Sequence, residues 1–178
     1  SEIVATKTRY VDNKNFSCNG TFEGTGLFGE QLYRNKGGKY LTITEGECDA
    51  MAAYELLGSK WPVLSVRSGA QGAERDVKAS LEYLESFDTV IINFDEDKVG
   101  RESARRVARL LKPSKAKIMT LPEGFKDAND MLNKQNHKGY VAAWWASKTY
   151  TPSGVLSVSE NKEKYKNREK KQSFPYPW

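Results

Sequence analysis

Two short acidic strings constrain this chain more than anything else in it: Thr44-Glu45-Gly46-Glu47-Cys48-Asp49 and Asn93-Phe94-Asp95-Glu96-Asp97. Each follows an apolar run of strand length, and each precedes a helix-like pattern. Carboxylates gathered at the ends of parallel strands repel one another unless a cation screens them or one keeps its proton. Clusters made only of oxygen donors suit hard divalent metals, and in α/β folds such metals handle phosphates. The pattern therefore points to phosphoryl or nucleotidyl transfer.

The rest of the chain supports an α/β reading. Strands are expected over Lys39–Thr44, Val63–Val66, Thr89–Phe94 and Lys117–Leu121. Helices are expected over Asp49–Leu57, ended by Gly58, over Ala73–Glu85 after a small-residue turn at Ser68–Gly72, and over the basic amphipathic stretch Val99–Leu111. A further helix opens at Lys126-Asp127-Ala128-Asn129-Asp130, and Val141–Ala146, with Trp144 and Trp145, reads as a packing helix. Alternating strands and helices imply a mostly parallel four-stranded sheet covered on both faces. Right-handed crossovers then bring every strand C-terminus to one edge, where ligands bind in such folds. Before this core, residues 1–13 read as an extended strand or hairpin arm and residues 15–38 as Gly-, Asn- and Thr-rich loops around a short Leu27-Phe28-Gly29 contact. The expected organisation is a basic β-rich subdomain over 1–38, a catalytic domain over 39–150 and a linker over 151–178.

Five carboxylates from three strand ends meet on that edge. Glu45 closes the first strand, and Gly46 lets a ligand approach the backbone. Asp49 lies four residues on, where the helix dipole would also favour an acid. Asp95 and Asp97, two apart on extended backbone, face the same side; Lys98 and Arg101 could partly neutralise them. Asp127 adds a carboxylate that also fits a helix cap, and Asn129 could lend a carbonyl oxygen. Mg²⁺ or Mn²⁺ suits this donor set, and two such ions would activate a hydroxyl and stabilise a departing pyrophosphate. Glu45 could instead act as a general base. Polyanionic substrates need cations nearby: Lys7, Arg9 and Lys14 on the arm, and Arg67 and Arg75 around the small-residue turn, are candidates for nucleotide or DNA contacts. Arg101, Arg105, Arg106 and Arg109 fit a solvated helix face equally well.

Charge adds less than the net +5 suggests, because residues 160–171 alone hold six basic residues against three acidic ones. Two cysteines, Cys18 and Cys48, and one histidine are too few for a four-ligand zinc site, and free thiols in a reducing compartment are expected. No apolar stretch approaches the roughly 20 residues of a membrane span.

At these residues the chain resembles the TOPRIM domain shared by DnaG-type primases, topoisomerases and some nucleases. The pattern is a glutamate after the first strand, here Glu45, and Asp-x-Asp after the third, here Asp95 and Asp97. With Lys126–Asp130 the resemblance is closest to phage-type primase-helicases, the group that includes the mitochondrial Twinkle helicase, over roughly residues 1–156. It implies a primase that makes short RNA primers from ribonucleoside triphosphates on a single-stranded DNA template. It implies Mg²⁺ (or Mn²⁺) on Glu45, Asp95 and Asp97, with Asp49 and Asp127 supporting, and nucleotide contacts from the arm. It also implies partners: a zinc-binding template-recognition module and a hexameric helicase domain, neither of whose motifs occurs in this chain, and work in a bacterial host cytoplasm. A TOPRIM nuclease, or a non-catalytic Twinkle-like scaffold for DNA binding and helicase assembly, is the alternative.

Overall fold

The computed structural model describes residues 3–10, 12, 13, 15–33, 37–152 and 162. Its centre is a five-stranded sheet in the order β4-β3-β5-β6-β7. Four strands run parallel: β3 (Gly38–Thr44), β4 (Val63–Ser65), β5 (Phe87–Asn93) and β6 (Ala116–Ile118). The two central strands, β3 and β5, end in runs of buried residues, as expected of strands covered on both faces. The expected four-stranded core is thus present, with one strand added at its edge. That strand, β7 (Lys148–Thr149), pairs antiparallel to β6. It is two exposed residues long, so no hydrophobic pattern announces it.

Helices cover both faces. On one side α3 (Gly69–Ala79), α4 (Leu81–Glu85) and α5 (Lys98–Ala108) pack on Leu41, Ile43, Leu64, Val90 and Ile92. On the other, α2 (Glu47–Leu56), α6 (Ala128–Asn133) and α7 (His137–Trp145) pack on Val63, Ile91 and Met119. The α7 helix is pinned by two buried polar contacts. The Trp144 indole donates to Thr42 Oγ1 at 2.9 Å, and the Tyr140 hydroxyl donates to Asn93 Oδ1 at 2.6 Å. Trp144 is buried as expected of a packing helix, but Trp145 is 57 % exposed. Among the described residues no helix is long and apolar enough to cross a membrane.

The small-residue turn expected at Ser68–Gly72 is instead the start of α3. Gly69, at φ +62°, turns the chain into the helix. The buried Asp76 carboxylate then reaches back to accept the Arg67 and Ser68 backbone N–H groups, both at 2.9 Å. The helix is therefore held by a side chain from its own third turn rather than by a conventional cap. It also breaks at Ser80, so the single expected helix is two.

The N-terminal region is more ordered than its composition suggests. β1 (Ala5–Arg9) and β2 (Phe16–Gly20) form an antiparallel hairpin, and α1 (Glu30–Tyr33) follows. Leu27 is 1 % exposed and belongs to the same core as the sheet. Phe28 exchanges two backbone hydrogen bonds with Ser65, at 3.0 and 3.2 Å. The stretch read as loops is therefore sewn to the β4 edge by main chain and one leucine. Lys14 and the expected linker, apart from 151, 152 and 162, lie outside the described residues.

Candidate active site

All four parallel strands point their C-termini at one edge, and the acidic side chains collect there. Glu45 follows β3 directly; its carboxylate is pushed above its ordinary value, first by burial and then by the Asp95 charge, with Asp97 adding to it. The Ala70 and Asp95 backbone amides face the carboxylate and pull the other way. Glu45 Oε2 is buried and has no hydrogen-bond partner among the described residues. A buried carboxylate oxygen left bare in this way is costly unless something positive meets it.

Asp49 stands one turn into α2, over Gly46, where a Cβ would come within 2.9 Å of its Oδ2. Its Oδ1 accepts from the Asn129 backbone N–H and side-chain amide, both at 3.3 Å. Burial, and then the Asp127 charge, push Asp49 up to about 6. Asp127 caps α6, its Oδ1 accepting the Asp130 N–H at 2.8 Å. Asp97 caps α5, accepting the Gly100 N–H at 2.7 Å. Asp95 meets the Lys126 ammonium at 2.9 Å. The structure thus gathers Glu45, Asp95 and Asp97 on one side and Asp49 and Asp127 on the other, with Asp95 near both. Among the described residues no three acidic, His or Cys side chains already stand as a ready cage for one ion.

The shifted Asp49 makes stability depend on pH. An unfolded aspartate titrates near 3.9. The folded protein binds this proton more tightly, so the group's contribution is full below about pH 4 and is lost as pH rises to about 6. With divalent ions chelated, this group should lower the unfolding free energy by about 2 kcal/mol over that interval. Urea unfolding at stepped pH should show a flatter slope for Asp49→Asn; an unchanged slope would show that Asp49 is not the group responsible.

The two halves of the acidic group are held together by Glu96, a residue to which the sequence assigned no role. Glu96 lies between the paired aspartates, in the bend that follows β5. Its Oε1 accepts the Leu121 N–H at 2.6 Å, and its own N–H donates to the Lys126 carbonyl at 2.9 Å. It ties the end of β5 to the loop that carries Lys126 and Asp127. Gly100 fixes the other side: a Cβ there would lie 2.4 Å from the Asp95 carbonyl oxygen. Gly100→Ala should destabilise the fold by about 1–3 kcal/mol and displace Asp95; thermal melts and metal titration together would show both effects, and a wild-type melt would contradict the packing argument.

The cations divide. Lys7 donates to Glu47 Oε1 at 2.7 Å and to the Arg67 carbonyl at 2.9 Å, and lies 4.9 Å from the Phe16 ring centre. Glu47 is therefore not the free surface acid its position suggests; it clasps the hairpin to the sheet edge. Arg9 is exposed, beside the same ring. Lys7, Arg9, Phe16, Asp49, Asp95 and Asp127 border one cleft of about 1490 Å³. Arg67 borders it too, but its guanidinium bonds the Phe22 carbonyl and Thr25 hydroxyl and pairs with Asp76 at 3.7 Å. Arg75 lies apart from the carboxylates; it donates to Ser68 Oγ at 2.6 Å and borders a second cleft of about 590 Å³ with Lys7 and Arg67. Cys18 and Cys48 are free and exposed.

The Toprim-like family model matches residues 42–132. The chain is 35% identical over 164 residues to the DNA helicase/primase of Enterobacteria phage T3, over 92% of this chain and 28% of that protein. It thus spans little more than a quarter of that relative. Among solved structures, the primase fragment of the bacteriophage T7 primase-helicase shares 35% identity at a TM-score of 0.71, over 80% of this chain and 57% of that one. A second match comes from the structure of the bacteriophage T7 lagging-strand DNA polymerase interacting with primase domains of two gp4 subunits bound to an RNA/DNA hybrid and dTTP. It shares 34% identity at a TM-score of 0.75, over 83% of this chain and 73% of that one. The chain belongs to the Toprim-like family, and shares its sequence pattern and fold with the primases of phage primase-helicases.

Proposed function

We propose that this chain is the catalytic part of a DNA primase, joining ribonucleotides into short primers on single-stranded DNA. The observation that carries this reading is a group of carboxylates from three neighbouring strand ends: Asp49, Asp95 and Asp127 border a cleft shared with Lys7 and Arg9, and Glu45 lies close enough to Asp95 and Asp97 to feel both charges. The donor set is all oxygen, and the bare, buried Glu45 Oε2 is an atom that a hard cation would satisfy. Mg²⁺ or Mn²⁺ therefore fits, held by Glu45, Asp95 and Asp97 with Asp49 and Asp127 in support. When bound, such ions lower the pKa of the attacking hydroxyl and stabilise charge at phosphorus and on the leaving pyrophosphate.

The chain's own residues supply the rest. Lys7 and Arg9, and Lys14 by its place in the sequence, take the triphosphate or the template backbone as charge partners. Phe16, 54 % exposed on the cleft wall, offers a ring face to a base. Arg67 acts from behind, fixing the 22–25 loop and presenting its carbonyl to Lys7. Arg75, on the neighbouring cleft, serves template rather than metal-bound triphosphate. The basic subdomain 1–38 covers the substrate, 39–150 carries the chemistry, and 151–178 leads toward a helicase domain. A zinc-binding module for template choice and a hexameric helicase complete the protein, which works in the cytoplasm of a bacterial host.

The test offers labelled ribonucleoside triphosphates and an end-labelled DNA strand together, with Mg²⁺ or Mn²⁺. Incorporation without cutting supports a primase. Cutting without incorporation would instead assign the same carboxylates to hydrolysis by water.

A further inference from the structure

Lys126 reaches into the acidic group directly. Its Nζ lies 2.9 Å from Asp95 Oδ2 although the side chain is 63% exposed. The main chain beneath it is fixed on both sides. Its carbonyl accepts the Glu96 N–H at 2.9 Å, its N–H donates to Asp130 Oδ2 at 3.3 Å, and the next residue caps α6. A rooted backbone thus delivers a solvent-exposed, intrinsically flexible four-carbon stem to the carboxylate whose charge reaches both Glu45 and Asp49. An ammonium group and a divalent ion seek the same carboxylate lone pairs, and an exposed ion pair of this kind contributes little to stability by itself. Lys126 also borders the large cleft with Lys7 and Arg9.

We propose that Lys126 is a tethered rival of the divalent ion: it holds Asp95 until the metal takes that oxygen, and the displaced ammonium then turns along the cleft to take up the phosphates of the metal-bound nucleoside triphosphate. Arrival of the ion and capture of the polyanion are thereby linked through one side chain. The inference rests on the metal-centre reading above and concerns binding, so it can fail while that reading stands.

The test uses the whole 178-residue chain and Mn²⁺, whose binding is followed by its paramagnetic resonance signal. Lys134 serves as control: it sits in the same region, is 54% exposed, and pairs with Asp130 at 3.1 Å rather than with Asp95. Lys126→Met should bind Mn²⁺ roughly tenfold more tightly, and Lys134→Met less than about twofold more tightly. Linkage demands the reciprocal effect. Acylation of Lys126 by a small amine-reactive ester, read by mass spectrometry, should rise about fivefold when Mn²⁺ is added to the unaltered chain, and should fall again when ATP is added under excess Mn²⁺.

Unchanged or weaker Mn²⁺ binding in Lys126→Met, or equal tightening in both variants, would overturn the rivalry. Acylation that stays high with ATP would overturn phosphate capture. Failure of the unaltered chain to bind Mn²⁺ at all would overturn the metal centre itself, a result distinguishable from either. Circular dichroism of both variants checks that they keep the fold.

Discussion

Replacing Asp95 by alanine is expected to lower ribonucleotide incorporation by about 10³-fold or more while leaving the fold intact. Asp95 is where the site's two halves meet: its charge raises the pKa of both Glu45 and Asp49, and among the described residues its carboxylate pairs with one solvent-exposed lysine. Removing it costs the sheet no buried hydrogen bond, so stability should change by less than about 1 kcal/mol. The structural acid of this segment is its neighbour Glu96, which holds the Leu121 N–H. Glu45→Gln should fall by a similar factor, because the amide keeps the shape and loses the charge that meets a cation. Steady-state incorporation and thermal melts, measured together, check the pair. Loss of fold in Asp95→Ala, or incorporation within about tenfold of the unaltered chain, would remove Asp95 from the centre.

The second large effect is on stability and lies outside the acidic edge. Asp76 is 1% exposed, yet it carries the junction of β4 and α3. It accepts the Arg67 and Ser68 N–H groups at 2.9 Å each and the Ser68 hydroxyl at 3.3 Å, and pairs with Arg75 at 3.5 Å and Arg67 at 3.7 Å. Asp76→Ala leaves the Arg67 and Ser68 amides and a largely buried guanidinium without this carboxylate. Breaking one side of such an arrangement costs about 3–5 kcal/mol. Because Arg67 also grips the Phe22 carbonyl and the Thr25 hydroxyl, the loop at 22–25 should become sensitive to protease at the same time. Asp76→Asn, which keeps one acceptor for the amides, should lose less. Urea unfolding and limited proteolysis read the two consequences separately, and a loss under about 1 kcal/mol in the alanine variant would refute the role.

The parallel strands could be read from the chain because they are short, largely apolar runs between helix-like patterns, as in Thr89–Phe94. The five carboxylates could be read for the same reason: strand ends in this topology share one edge. What could not be read depends on partners far away in the chain. Glu47 looks free until Lys7, forty residues earlier, reaches it. Arg67 looks like a substrate cation until Asp76 and the 22–25 loop claim its guanidinium. The β2 strand and α1 are hidden in a stretch rich in Gly, Asn and Thr, since their order comes from pairing with β1 and from Leu27 entering the core. The start of α3 is hidden because glycines ordinarily mark turns, and only the buried Asp76 makes a helix of them.

The measurement that bears most directly on the central claim is extension of a diribonucleotide on single-stranded DNA by the full 178-residue chain, with labelled ribonucleotides, in Mg²⁺ or Mn²⁺ and in chelator. Supplying the diribonucleotide makes the assay independent of a template-reading module. The carboxylate edge as a nucleotidyl-transfer centre predicts extension that appears with metal, vanishes in chelator and is lost in Asp95→Ala. Extension that persists in chelator or in Asp95→Ala, or a strand that is cut and never extended, would contradict it.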